Sequence, residues 1–259
     1  MLTYLLKGDP PQGVTGVQFA FQHALDHSHG ELAAGITISN FKIMLGVAAA
    51  VVLLFSLRAD KKSLVPKGAA RNALEGILLF IRGMTRASHL PDKFVPFFCT
   101  LFFFILTANL LGMVPIPFYG GTATSNLMVT GALAGIILLV STLSGFICHG
   151  PVGFVKLFIP GGLPAPLIPV LFVLEFVGYF IKHGVLMIRL FANMIAGHLV
   201  IGAFLGLIAD MHSYVVAGAL SVPLSLFVSC LELLVAFLQA YVFTLLSTLF
   251  IGGMVHPDH

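Results

Sequence analysis

The sequence has very little charge for its length. Only 9% of its 259 residues are Asp, Glu, Lys or Arg, whereas about a quarter is usual for a soluble domain. Hydrophobic residues make up 58%, and the mean hydropathy is +1.05. These values exclude a water-soluble globular fold and indicate a polytopic membrane protein. The net charge of +3 is too small to indicate a nucleic-acid partner.

Cysteine is also scarce, and its spacing excludes several kinds of site. Cys99, Cys148 and Cys230 stand singly in apolar stretches, without a CxxC pair. We therefore interpret them as small apolar fillers and not as a disulfide framework or a metal site. The sequence also has no phosphate-binding loop of the GxxxxGKS type and no HExxH motif. We accordingly expect no nucleotide, no metal and no cofactor.

Residues 1–39 form a mixed polar segment, which we expect on the outer side of the membrane. Its start, MLTYLLKGDPPQ, is too short and too soon interrupted by proline to be a secretory signal. The stretch HALDHSHGE that follows carries His and carboxylate groups that could share a helical face as metal ligands. We favour the simpler interpretation, a solvated or short amphipathic segment without a metal.

Positive charge is concentrated near the start of the membrane domain, residues 40–259. Eight of the 13 Lys and Arg residues lie between Arg58 and Lys93, just after a first apolar run at 40–57. The positive-inside rule places this region on the cytoplasmic side, or on the matrix side of an organelle. Within it, residues 68–86 are amphipathic, so we expect a helix lying at the inner interface. The alternative is a loop helix without membrane contact.

Further apolar runs predict an all-α fold with about five transmembrane helices. The second and third are expected at 93–114 and 126–148. The segments 166–209 and 211–254 follow, and each has about twice the ~20 residues that a perpendicular span needs. Each is therefore either two spans or one steeply tilted helix. We favour one helix each, because neither contains a charged or turn-rich connector.

Polar groups stand inside the fourth predicted helix, where the bilayer core is expected. A charge there costs roughly 2.5–3.5 kcal/mol on insertion scales. Glu175, Lys182 and Arg189 recur every seven residues and so lie on one side of a helix. Asn193 lies one turn beyond Arg189 on that side, and His198 lies on the opposite face. This arrangement predicts a proton route in two offset halves around a fixed positive charge.

Arg189 is the most informative of these groups. Its guanidinium stays protonated even in a poor dielectric, so it blocks simple proton leakage and attracts a carboxylate on a partner. The structural alternative is an ion pair with Glu175 or Glu232 that holds helices together.

The last predicted helix supplies a second pair of polar groups. Glu232 and Gln239 are seven residues apart and therefore lie on one face. We interpret Glu232 as a proton carrier and Gln239 as a group that holds water, with simple helix–helix hydrogen bonding as the alternative. Lys182, His183 and Asn109 are secondary candidates, and for His183 a packing role is the alternative.

Two motifs within these helices are RLFANMIAGH at 189–198 and LQAYVF at 238–243. Together with NLLGMVP at 109–115, TATS at 122–125 and the whole of 149–176, they resemble the subunit a family of F-type ATP synthases. Members of that family, the ATPase A chains, are the stator half of a membrane proton channel. The likeness leaves the N-terminal segment unmatched.

The resemblance implies roles for the polar residues. In the family, the Arg that matches Arg189 faces the carboxylates of a rotating c-ring, and the last two helices form a long inclined hairpin. The outer half-channel uses positions that match Asn193, His198, Glu232 and Gln239. The inner half-channel runs near the position that matches Glu175.

This chain departs from many bacterial members at three of its positions. His198 stands where those members carry Glu, and Glu232 stands where they carry His. The same exchange occurs in mitochondrial and related bacterial proteins. His183 stands where many members have proline. The exchange keeps one acid and one imidazole, so the expected channel is preserved.

The resemblance also implies a function and partners. The expected function is that of the Fo proton-channel subunit of a rotary ATP synthase, which is not an enzyme by itself. The implied partners are the c-ring, the peripheral-stalk subunit b, other ATP synthase subunits and membrane lipid, without nucleic acid. We expect the bacterial inner membrane, with the mitochondrial inner membrane as the alternative.

Two other functions are weighed against this one. A self-contained secondary transporter or ion channel could use the same charges, but the sequence has no internal repeat and no pair of broken helices. A membrane-embedded metal hydrolase is disfavoured because the acid and imidazole groups are spread over two helices. The choice between H+ and Na+ as coupled ion is open, because the surroundings of the rotor carboxylate decide it.

Overall fold

A short β-hairpin precedes the membrane helices. The computed structural model describes residues 29–32, 36–39, 45–53, 69–113, 124, 126–159, 167–210 and 214–256. Strands β1 (His29–Leu32) and β2 (Ile36–Ser39) pair antiparallel, with His29 opposite Ser39 and Leu32 opposite Ile36. The sequence analysis did not predict this hairpin. The rest of the predicted polar segment 1–39 lies outside the described residues.

The rest of the described chain is helical apart from short turns, which confirms the predicted all-α polytopic membrane fold. A 3-10 turn at Asp92–Phe94 leads into the second of five helices that follow the helical residues 45–53 in the described chain. These are α1 (Ala69–Ala87), α2 (Val95–Met113), α3 (Leu127–Lys156), α4 (Ile168–Asp210) and α5 (Tyr214–Val255).

Four of these helices, α2 to α5, are long and apolar enough to cross a membrane. Helices α4 and α5 are each continuous over their length, as the preferred one-helix interpretation expects. The first predicted span, 40–57, is described only over residues 45–53, which are helical. The extent of that span therefore stays a prediction.

Helix α1 is the amphipathic element predicted at 68–86. It buries Ile81 and Met84, and it leaves Leu78, Leu79 and Phe80 exposed. This two-faced pattern suits a helix with apolar contacts on both the protein side and the lipid side. Its place at the membrane surface stays a prediction.

The end of α1 is tied to the start of the next helix by an exposed ion pair. Arg82 and Arg86 donate hydrogen bonds of 2.7 and 3.1 Å to the Asp92 carboxylate. The hydrogen bond that Arg86 donates to Asp92 raises the pKa of Arg86 above its usual value. Because all three side chains are exposed, the pair contributes little to stability.

Helix α3 breaks at Gly150, two residues beyond the predicted end of the span. Gly150 has φ of 68°, a left-handed conformation that glycine adopts without steric cost. Pro151 follows and has no backbone N–H to continue the helical bonds. The last turn of α3 then folds back, and Phe154 stacks on Phe146 at 4.2 Å between ring centroids.

The chain forms two compact units, and α4 and α5 each contribute to both. In the first unit, contacts pair Asn193 with Gln239 and Gly197 with Glu232, so the helices run antiparallel there, as in the predicted hairpin. The inclination of the hairpin to the bilayer stays a prediction. The first unit comprises Met1–Val51, Leu106–Leu127 and Leu190–Gln239, and the second Val52–Ile105, Met128–Arg189 and Ala240–His259.

Candidate functional site

A buried polar cluster in the first unit joins helices α4 and α5. Asn193 Nδ2 on α4 donates a hydrogen bond of 2.9 Å to Gln239 Oε1 on α5. Gln239 is only 3% exposed. An amide pair of this kind is a common way for membrane helices to satisfy polar groups in an apolar setting. The structure thus brings together two residues that the sequence analysis had placed on separate helices.

Glu232 lies two turns before Gln239 on α5, against Gly197, the glycine that precedes His198. Its side chain is buried, and a Cβ atom placed on Gly197 would lie 2.6 Å from Glu232 Oε1. Glycine is thus the residue that leaves room for the carboxylate at this helix contact. His198 itself is helical in backbone, and its side chain lies outside the described part of the chain.

Asn109, a secondary candidate, adds a third helix to this cluster. It is fully buried on α2, and its Nδ2 donates to the backbone oxygen of Ala236 on α5 at 3.4 Å. Ala236 lies one turn from Glu232 and one turn from Gln239 on the same helix face. The Asn109 amide therefore sits at a height between those two side chains. We call Asn109, Asn193, Glu232 and Gln239 the first-unit cluster.

The first unit contains buried polar atoms whose hydrogen bonds are incomplete. Leaving such an atom unsatisfied costs about 1–3 kcal/mol, so ordered water normally completes the bonding in polar sites. The first unit is therefore suited to hold water between its helices. The atoms without a partner among the described residues include Asn109 Oδ1, Thr124 Oγ1, Ser221 Oγ and Gln239 Nε2.

The second unit carries the charged residues predicted on α4. Glu175 and Lys182 are exposed, and Arg189 is half-buried. Arg189 has no ion-pair partner among the residues that the structure describes. This weighs against the structural alternative, in which a neighbouring carboxylate neutralises the guanidinium.

His183 lies in a separate polar network, buried between α3 and α4 of the second unit. Its Nδ1 donates to the backbone oxygen of Tyr179 at 2.8 Å, and its Nε2 lies 3.4 Å from Ser141 Oγ. The Tyr179 hydroxyl lies 2.5 Å from Ser141 Oγ and 2.8 Å from Thr142 Oγ1. We call these four residues the second-unit network.

The sequence analysis named His183 but missed the other three members of this network. Ser141, Thr142 and Tyr179 carry hydroxyl groups inside otherwise apolar spans. Because a hydroxyl in a bilayer needs a partner, that pattern could have predicted a contact, although not which helices make it.

No metal centre is formed by the described residues: no three His, Cys, Asp or Glu side chains come close enough to hold an ion. Most of the histidine-rich stretch near the N-terminus lies outside the described residues.

Sequence comparisons give the chain its relatives. A family model described as ATP synthase A chain matches residues 41–252. A protein of Chloroherpeton thalassium named ATP synthase subunit a is 43% identical over 86% of this chain and 68% of its own length. Proteins of the same name from Parvibaculum lavamentivorans and Rhizobium rhizogenes are each 38% identical. They cover 93% and 95% of this chain, and in both cases 93% of the relative.

Proposed function

The chain belongs to the ATP synthase A chain family, and on that premise we propose that it is the proton-channel subunit of the Fo sector of a rotary ATP synthase. The observation that carries the proposal is a pair of features. One is a buried polar cluster with incomplete hydrogen bonds, and the other is a permanent cation, Arg189, without an ion-pair partner among the described residues.

The first-unit cluster is the proposed outer half-channel. Glu232 and His198 are the groups that bind and release protons there, and Asn193 and Gln239 hold water. Asn109 supports this role because its unpartnered Oδ1 is an acceptor and the unpartnered Gln239 Nε2 is a donor. Water bonded to such groups conducts protons without a charged side chain moving through lipid.

Arg189 is the proposed contact with the rotor. A permanent positive charge favours the ionised form of a carboxylate that approaches it. Each c-ring carboxylate therefore gives up its proton as it arrives at Arg189 and takes another from the outer half-channel before it enters the lipid. Because a guanidinium does not release its own proton, it also keeps the two half-channels from conducting directly into one another.

The proposed inner half-channel runs past the exposed Glu175, with Lys182 one further polar group on that route. Protons released near Arg189 leave by this side, and their flow drives rotation and hence ATP synthesis on other subunits. The partners are then the c-ring, the peripheral-stalk subunit b, the remaining ATP synthase subunits and surrounding lipid. The chain is not an enzyme by itself, and the proposed location is a bacterial inner membrane.

The test is proton pumping by the complete complex carrying Arg189→Gln. The complex is reconstituted in vesicles, and ATP-driven acidification is followed with a pH-sensitive dye alongside ATP hydrolysis. We expect the variant to assemble and to lose acidification entirely. Lys156→Gln removes a positive charge from an exposed position at the end of α3 and is the control. Normal acidification by the Arg189→Gln complex would contradict the proposal.

The partners are tested separately by purification in mild detergent and mass spectrometry. We expect the chain to bring with it a small proteolipid and soluble nucleotide-binding chains. A chain that purifies alone, folded and monodisperse, would instead favour a self-contained transporter.

A further inference from the structure

The second-unit network is buried, and each of its polar side-chain atoms lies within hydrogen-bond distance of at least one partner. Ser141, Tyr179 and His183 are each at least nine-tenths buried. None of the polar side-chain atoms of the network is among the buried atoms without a partner in the described chain. Buried polar networks that are fully satisfied rigidify the elements that they join. This network therefore has the properties of a fixed joint between α3 and α4.

The Tyr179 hydroxyl is the centre of this joint. It contacts three oxygens that lie within a single turn of α3, those of Leu138, Ser141 and Thr142. Because Thr142 donates its own proton to Leu138 O at 2.6 Å, the Tyr179 hydroxyl donates to Thr142. Ser141 Oγ, which donates to Leu138 O at 3.1 Å, lies next to the same Tyr179 hydroxyl. A rotation of α4 by one residue, about 100°, would break all of these contacts.

His183 extends the joint to the last helix. Its ring packs against the Tyr179 ring at 4.8 Å and against Phe250 of α5 at 4.9 Å between centroids. Its Nδ1–H is held by the Tyr179 carbonyl one turn earlier. The imidazole is therefore fixed on two sides, and it contacts helices α3 and α5 from α4.

Arg189 follows on the same helix and in the same unit. The helix runs without a break from Tyr179 to Arg189, a distance of about 15 Å along the axis. A rigid helix transmits its rotational setting over this length. The direction in which Arg189 points is thus set by the contacts that fix Tyr179 and His183.

We propose that Tyr179 and His183 are positioning residues that fix the rotational setting of α4 and thereby direct Arg189 toward its partner. This inference rests on the proposed function, because it assigns Arg189 the rotor contact. Without the joint, Arg189 keeps its charge but points in several directions. Carboxylates can then pass it while still protonated, so that protons slip and fewer are moved per ATP hydrolysed.

The test is the coupling of pumping to hydrolysis in the complete complex with Tyr179→Phe. This change keeps the ring and removes only the hydroxyl. We expect ATP hydrolysis to continue. We expect the protons moved per ATP to fall about five-fold, because the loss of one net hydrogen bond shifts the equilibrium between helix settings by about that factor. Tyr241→Phe is the matched control, since Tyr241 on α5 packs its ring on Phe80. We expect normal coupling for that control.

The partner helix offers an independent variant. Thr142→Val removes the hydroxyl that accepts from Tyr179 and keeps the side-chain shape. We expect a coupling loss of the same kind. The double variant Tyr179→Phe with Thr142→Val should be no worse than Tyr179→Phe alone, because the bond between the two side chains is already absent in Tyr179→Phe. His183→Gln retains a donor and an acceptor, so it should couple better than His183→Leu.

The outcomes separate this inference from the proposed function. If Arg189→Gln abolishes pumping and both Tyr179→Phe and Thr142→Val couple like the control, the positioning role is wrong and the proposed function stands. If Arg189→Gln pumps normally, the proposed function fails. If Tyr179→Phe and Thr142→Val both prevent assembly, the network serves folding alone, which also overturns the positioning role.

Discussion

The first-unit cluster and the second-unit network differ in how completely their polar atoms are hydrogen-bonded. In the second-unit network each polar side-chain atom has at least one partner among hydroxyls, an imidazole and backbone oxygens. The first-unit cluster leaves Asn109 Oδ1 and Gln239 Nε2 without partners among the described residues. A complete network fixes helices in place, whereas an incomplete one is completed by water and can pass protons. The difference teaches that polarity inside a membrane protein serves two separate purposes.

The glycines of α4 repeat this contrast on one helix. A Cβ atom on Gly197 would meet Glu232 Oε1 at 2.6 Å, whereas a Cβ atom on Gly184 would meet nothing within 4 Å. Both residues are helical. An alanine at Gly197 would therefore displace the Glu232 carboxylate of the first-unit cluster, whereas an alanine at Gly184 would displace no neighbouring atom.

The largest effect that we predict from this contrast is that of Gly197→Ala. The added methyl group must displace the flexible end of the Glu232 side chain from its place in the first-unit cluster. We expect ATP-driven acidification to fall about tenfold, the factor that corresponds to ~1.4 kcal/mol. The measurement is the initial rate of acidification in vesicles that hold equal amounts of complex.

Gly184→Ala is the control for that change. It adds the same methyl group to the same helix, and alanine favours the helix over glycine by about 1 kcal/mol. We expect pumping to be unchanged. Equal losses for the two variants would mean that the contact between Gly197 and Glu232 has no special role.

Much of the membrane architecture could be predicted from composition and pattern. Low charge and long apolar runs predicted the polytopic all-α fold, and amphipathicity predicted α1. The polar residues on α4 and α5 stood out because charge is costly in lipid. Their pairing was harder, since the contact of Asn193 with Gln239 depends on the register of two helices.

Other features required the structure because they depend on close approach between distant segments. Nothing in the sequence indicates that Asn109 reaches the backbone of Ala236, or that Tyr179 meets Ser141 and Thr142. Each of these contacts joins residues that are far apart in the chain. Hydrophobic periodicity shows which helix face is buried, but it does not show what lies opposite.

A smaller effect, on stability and not on transport, is predicted for Gly252→Ala. A Cβ atom at Gly252 would lie 2.7 Å from the backbone oxygen of Ser88, and a backbone atom cannot rotate away. We expect a loss of about 1–3 kcal/mol in stability, seen as a lower midpoint of thermal unfolding, with coupling of the surviving complex unchanged.

Gly253→Ala is the matched control at the neighbouring position. A Cβ atom there meets nothing within 4 Å, so we expect the thermal midpoint to stay the same or to rise slightly. A loss of coupling in the Gly252→Ala complex, without a loss of stability, would contradict the assignment of this contact to the scaffold.

The contrast between the first-unit cluster and the second-unit network is tested most directly by measuring water access at one position in each of them. Single-cysteine complexes carrying Asn109→Cys or Ser141→Cys, with the three native cysteines replaced by alanine, are treated with a small hydrophilic methanethiosulfonate. A third complex that retains native Cys99, buried on α2, controls for burial alone. Only a thiolate in contact with water reacts, so we predict modification of Asn109→Cys at least about tenfold faster than of Ser141→Cys. Equal rates, or faster modification of Ser141→Cys, would contradict the account that the first unit holds the water path and the second unit the fixed joint.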